Sequence, residues 1–152
     1  MTAKKLIFVL FVGVILTGGL FAEGGLEKGF VRATTNVGIL FAPGGGGTIT
    51  VLETEADFIN KYGIDFVLGT GMIFTDDMAF FMKYGFGYTF HTPRWCLGVK
   101  VIGLGFGDNG TGGFNISGSY FFTDYIGLTL GLDAYVFNEE LFAAKVGISL
   151  KI

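Results

Sequence analysis

Charge is scarce in this sequence: 15% of its 152 residues are Asp, Glu, Lys or Arg, against roughly 25% in an ordinary soluble domain. Cysteine occurs once, at Cys96, so no intrachain disulfide can form. Histidine also occurs once, at His91, which leaves no second imidazole for a metal site. There are only 2 prolines. No basic cluster is present, which gives no reason to expect nucleic-acid binding. Beyond residue 22 there is no uninterrupted apolar run of the ~18 residues that a spanning helix needs, which excludes a helical membrane bundle. What is plentiful is 51% hydrophobic residues, 16% aromatic residues and 27 glycines. So many apolar side chains exclude a disordered chain. The glycines keep no three-residue period, which excludes a collagen-like one. The length fits about one domain, and the composition leaves a membrane protein or an unusually apolar globule.

The first 22 residues read as a processing signal. Lys4 and Lys5 precede an apolar core, residues 6–16, and the small-residue-rich exit Thr17-Gly18-Gly19-Leu20-Phe21-Ala22 follows. This is the pattern of a cleavable secretory signal peptide ending at Ala22, although Leu20 departs from the small residue expected third from the cut. The alternative is an uncleaved anchor helix, for which the apolar core is shorter than the ~20 residues required. Cleavage would leave residues 23–152 as a mildly acidic domain with 8 basic and 13 acidic residues.

Downstream the dominant period is two. Phe80, Met82, Tyr84, Phe86, Tyr88 and Phe90 share one face, and Phe81, Lys83, Gly85, Gly87 and Thr89 share the other. Such alternation marks a strand with one apolar face. Turn-forming residues then divide the chain into eight predicted strands, at 30–42, 48–58, 63–74, 78–90, 95–107, 113–122, 125–137 and 141–152. Residues 53–58 also admit a short helix or a loop. Alternation slips near Val101-Ile102, which predicts a bulge there.

In every strand the charged, hydroxyl and glycine residues take one face and the bulky apolar residues the other. A soluble lipocalin-like barrel and a membrane barrel both use this alternation, as inside-out versions of each other. A glycine-rich face is a poor exterior for a soluble protein, whereas it suits the narrow lumen of an eight-stranded closure. The expected fold is therefore all-β: an eight-stranded antiparallel up-and-down transmembrane β-barrel. Its lumen would hold Arg32, Lys83, Lys100, Lys145 and Lys151 against Glu53, Glu55, Asp57, Asp65 and Asp133. A charge network built on Arg32, Asp65, Lys83, Lys100, Asp133 and Lys145 follows, with Lys83 facing Asp65 or a neighbouring acid, because unpaired buried charges are costly. Trp95, Tyr88, Tyr120 and Tyr125 fall near strand ends, where interfacial aromatic residues belong.

The last residues, Lys145-Val146-Gly147-Ile148-Ser149-Leu150-Lys151-Ile152, resemble the C-terminal signal of bacterial outer-membrane barrels, with Lys145, Gly147, Leu150 and Ile152 at the matching positions. The departure is Ile152, where that family usually ends in Phe or Trp. Together with the signal peptide and eight strands, this makes the chain similar to the small barrels of the OmpX, OmpW and OmpA-domain kind. The resemblance implies recognition by the barrel-assembly machinery, a location in the outer membrane of a Gram-negative-type envelope, membrane lipid as the surroundings, and a monomer. It also implies a periplasmic C-terminus, which puts the short connections near 43–47, 75–77, 107–113 and 138–140 outside.

Signals for chemistry are few. Gly105-Phe106-Gly107-Asp108-Asn109-Gly110 fits the spacing of a dinucleotide fingerprint, but that motif must open a helix, and here strands flank it. Gly44 to Gly47 lack the Lys-Ser/Thr of a phosphate loop. His91 lies in a predicted turn beside Pro93, apart from Ser117 and Ser119 within a strand, so no Ser-His-Asp set is assembled. No catalytic, cofactor or metal residues are assigned. The expected role is that of a structural or surface barrel whose main act is to span the outer membrane. The alternative is a conduit or binding protein for small apolar molecules, porin-like in the manner of OmpW, if the inward glycines leave a cavity. Phe81, Phe121 and Tyr135 would otherwise fill that space.

Overall fold

The computed structural model describes residues 29–43, 47–75, 78–107, 109–137 and 140–152. The proposed signal peptide and parts of the turns at Gly44–Gly47, Asp76-Asp77, Asp108 and Asn138-Glu139 lie outside the described residues. Eight strands run in chain order: β1 (Phe30–Phe41), β2 (Thr48–Ile59), β3 (Ile64–Phe74), β4 (Ala79–His91), β5 (Trp95–Phe106), β6 (Asn109–Phe121), β7 (Ile126–Tyr135) and β8 (Leu141–Lys151). Each pairs antiparallel with its sequence neighbour, and β1 pairs with β8, so the sheet closes into a barrel with no free edge. Strands of 10 to 13 residues meet the ~9–11 that a tilted strand needs to cross a bilayer. Among the described residues no helix is long and apolar enough to cross a membrane.

The period-two pattern becomes an inside and an outside. Leu128, Leu130 and Leu132 point out of the barrel while Gly127, Thr129, Gly131 and Asp133 point in, and the other strands follow the same rule. Residues 53–58 are strand, not helix or loop: all of β2 is paired with β1, from Phe41↔Thr48 to Phe30↔Ile59. An acidic strand is stable there because Glu53, Glu55 and Asp57 turn into the lumen and meet cations.

Inward glycines make room for long side chains on the next strand. A Cβ on Gly38 would lie 2.7 Å from Cγ of Lys145, and one on Gly87 would lie 2.9 Å from Cγ of Lys100. Phe81 fills the space beside Gly71, and Phe121 lies 2.9 Å from a Cβ built on Gly127. Phe81, Phe121 and Tyr135 are all buried. The lumen is thus packed with side chains, as expected for so small a closure.

Four sequence expectations need correction. There is no bulge at Val101-Ile102, because the ladders of β5 with β4 and with β6 run through it without a break in register. Ile102 and Leu104 simply point inward. They belong to an apolar layer with Leu40, Val51, Ile73, Phe81, Tyr135 and Ala143 that fills the barrel at the end away from the termini. The inward face is therefore not polar in every strand. Residues 109–112 are strand rather than turn, since Phe106 already pairs with Asn109 and Gly107 (φ 58°) starts the hairpin. His91 closes β4 instead of lying in the turn, and it packs edge-on against Phe30, 5.3 Å between centroids.

Candidate functional site

The functional candidate is the buried ionic network of the lumen, which divides into two clusters. In the lower one, nearer the termini, Nε and Nη2 of Arg32 donate to Asp57 Oδ2 at 2.9 and 2.8 Å, and Nη1 donates to Ser119 Oγ at 2.7 Å. Lys100 donates to the other oxygen of Asp57 and stands 3.3 Å from Asp65 Oδ2. Thr89 donates to Asp65 Oδ2 at 2.6 Å. From Ser119 a hydroxyl chain runs across the lumen to Thr129 (2.6 Å), on to Ser149, and from Ser149 to Thr34 (2.8 Å).

The upper cluster sits beneath the apolar layer. Lys83 Nζ donates to Glu55 Oε2 at 2.9 Å and to Glu53 Oε1 and Asp133 Oδ2, both at 3.2 Å. Lys145 Nζ lies 2.6 Å from Glu53 Oε1 and 2.7 Å from Asp133 Oδ2. The Tyr135 hydroxyl donates to Asp133 Oδ2 at 2.8 Å, and Asn115 Nδ2 donates to Oδ1 at 2.5 Å. Asn36 Nδ2 reaches Glu53 and Glu55 at 3.3 and 3.4 Å. All these charged groups are within a few per cent of full burial. Burial of an unpaired ion costs several kcal/mol, so the pairing is a condition for folding.

One expectation is narrowed and one changes. Lys83 does not meet Asp65; it pairs with Glu53, Glu55 and Asp133, while Asp65 pairs with Lys100. Lys151 is not in the lumen network. It lies at the rim, where Nζ donates to the Pro93 carbonyl at 3.4 Å and covers the rings of Phe30 and Phe121 at 4.8 and 5.4 Å. Among the described residues four buried cations therefore stand against five buried carboxylates. The register carries a signal that single-strand parity does not. Lys83 pairs with Gly69, which pairs with Glu55, and Lys100 pairs with Gly87, which pairs with Asp65. In each case the lysine reaches over a glycine to an acid two strands away. The sequence carries no signal for the roles of Asn36, Asn115 and the hydroxyl chain, or for the Tyr135 hydrogen bond to Asp133, since these arise only when the strands close.

Of the remaining predicted residues, Tyr88, Trp95, Tyr120 and Tyr125 are exposed around the end that holds the termini, with Trp95 and Tyr120 paired across β5 and β6. The opposite end carries phenylalanine at Phe41, Phe74 and Phe137. Lys145 and Gly147 of β8 face inward, while Leu150 and, just past the strand, Ile152 are exposed. Ile152 exchanges backbone hydrogen bonds with Val31, at 2.8 and 2.9 Å.

This geometry has counterparts among solved structures. A de novo designed transmembrane β-barrel superposes with a TM-score of 0.68 at 14% identity, covering 81% of this chain and 95% of that one. The N-terminal β-barrel domain of Pseudomonas aeruginosa OprF gives 0.62 at 12% identity over 81% and 97% of the two chains. The chain has the fold of the small outer-membrane barrels. Ail, the attachment invasion locus protein of Yersinia pestis, gives 0.56 at 4% identity over 82% and 97%. At these identities the likeness is one of fold alone. No protein-family model matches the sequence, and no curated protein matches it.

Proposed function

We propose that this chain is a non-enzymatic structural barrel of a bacterial outer membrane. In this reading residues 1–22 direct export, the barrel-assembly machinery reads Lys145, Gly147, Leu150 and Ile152, and the mature domain stands in lipid as a monomer. One observation carries it: among the described residues the outer wall between the rims carries no charge and is apolar apart from a row of threonines, Thr35, Thr54 and Thr70, while the lumen holds nine buried charged side chains. Leu130, Leu132, Ile148 and Phe86 are each about three-fifths exposed. In water that wall would aggregate; in hydrocarbon it is the favourable side. Tyr88, Trp95, Tyr120 and Tyr125 would mark one interface.

Two observations favour a structural role over a conduit for small apolar molecules. The lumen is packed, with Phe81 and Phe121 in the room left by Gly71 and Gly127. The connections at the end away from the termini are residues 42–47, 75–78, 107–108 and 136–140. These are too short to build a binding surface beyond the rim. Heat-modifiable gel migration with outer-membrane fractionation tests the reading, together with planar-bilayer conductance. The expected result is a heat-modifiable protein in the outer-membrane fraction that conducts no ions. A soluble monomer in detergent-free buffer would overturn it, and steady conductance would restore the conduit.

A further inference from the structure

The two clusters of the lumen differ in charge. The lower one balances, with Arg32 and Lys100 against Asp57 and Asp65. The upper one does not: Lys83 and Lys145 face three carboxylates, Glu53, Glu55 and Asp133. Among the described residues no other cation completes it. Glu53 faces Lys83 of β4, Lys145 of β8, Asn36 of β1, Asp133 and Tyr135 of β7, and Glu55 of its own strand. Asn115 of β6 is committed to Asp133, Lys100 of β5 to Asp57 and Asp65, and β3 presents only Gly69 and Gly71.

The three acids are not used alike. Asp133 accepts through both oxygens from four donors. Glu55 accepts through both oxygens, from Lys83 and Asn36. Glu53 takes all three of its donors, Lys83, Lys145 and Asn36, on Oε1. A second deficit lies beside it. The Asn36 amide is 2% exposed and aimed at Glu53 and Glu55, yet its Oδ1 has no donor among the described residues. The cluster is thus short of one positive charge and one hydrogen-bond donor. A carboxylic acid O–H on Glu53 supplies the charge, and it supplies the donor too when a half turn of the Asn36 amide brings Oδ1 to face it in exchange for the Asn36–Glu55 bond.

We propose that the upper cluster is a proton-binding site, with one proton held on Glu53 and the two lysines neutralising Glu55 and Asp133. The barrel then folds with uptake of a proton at neutral pH, because Glu53 is ionised in the unfolded chain, where an unperturbed Glu titrates near ~4.3. The folded state binds more protons, so rising pH erodes the stability supplied by this site. The folding constant falls about tenfold per pH unit between the unfolded and folded titration points.

The test is equilibrium unfolding in urea, in phosphatidylcholine vesicles, of the full barrel and of Glu53→Gln across acid to alkaline buffers. The difference between the two proteins isolates the site from the other carboxylates. The expected result is that E53Q lacks this alkaline loss and at neutral pH is as stable as its parent. An infrared measurement needs only the parent protein and covers the case in which E53Q does not fold. The folded barrel at neutral pH should show a carboxylic-acid C=O band that shifts when the glutamates, but not the aspartates, carry carbon-13. A missing band, a band that shifts only with labelled aspartate, or an E53Q protein with the parent's pH dependence would overturn the proposal. So would stability that follows added sodium or potassium chloride instead of pH, which would place a monovalent cation in the cluster.

Discussion

The two halves of the lumen solve the same packing problem with different chemistry. Toward the termini it is filled by Arg32, Lys100, Asp57, Asp65 and a chain of hydroxyls; toward the other end, by Leu40, Ile73, Phe81, Ile102 and Leu104. The upper ionic cluster sits at the junction, where the Tyr135 ring joins the apolar layer while its hydroxyl binds Asp133. The apolar half tolerates imperfect fits, because dispersion contacts have no direction. The ionic half does not, since each missing partner strands a charge in a low-dielectric interior. The lesson is that the barrel's shape comes from packing in one half and from pairing in the other.

Removing a charge from the pairing half should have the largest effect. Lys83→Met leaves Glu55 and Asp133 to Lys145 alone and should cost about 3–5 kcal/mol, read from urea unfolding in vesicles. The deficit should shrink in acid as the carboxylates are neutralised. In the apolar half, Leu104→Ala should cost about 2–5 kcal/mol by leaving a cavity, and that cost should not change with pH. If both losses varied with pH alike, the division into halves would be wrong. On the outer wall, Leu130→Arg should cost about 2–4 kcal/mol at mid-bilayer, and Ile126→Arg near the rim only about 0–1. Equal costs at the two positions would deny the wall its depth in lipid. Inside the lumen the smallest effect belongs to the hydroxyl chain. Ser149→Ala should cost about 0.5–1.5 kcal/mol, and a loss as large as that of Lys83→Met would make the chain part of the ionic framework.

Much of the fold was legible because a strand's period of two needs no partner to be seen. The eight strands, and the inward facing of Lys83, Lys100, Asp133 and Lys145, follow from parity alone. Ile102 reads wrongly because an apolar residue on the inward face looks, along one strand, like a slip of register. Residues 109–112 were misread because their glycines suggest a turn; Gly112 and Gly113 instead lie where Phe137 and the Ala134 carbonyl leave no room for a side chain. The partner of Lys83 was beyond reach from one strand. It depends on the alignment of β4, β3 and β2, which sets Lys83, Gly69 and Glu55 in one row.

The central claim is that apolar side chains face hydrocarbon and charges face inward. It is tested most directly by moving the single tryptophan to mid-wall, in a Trp95→Phe, Leu130→Trp barrel folded into vesicles of brominated lipid. The account predicts that bromines near the chain ends quench this tryptophan most strongly and that aqueous iodide leaves it untouched. Quenching by iodide with no response to brominated chains would turn the barrel inside out and contradict it.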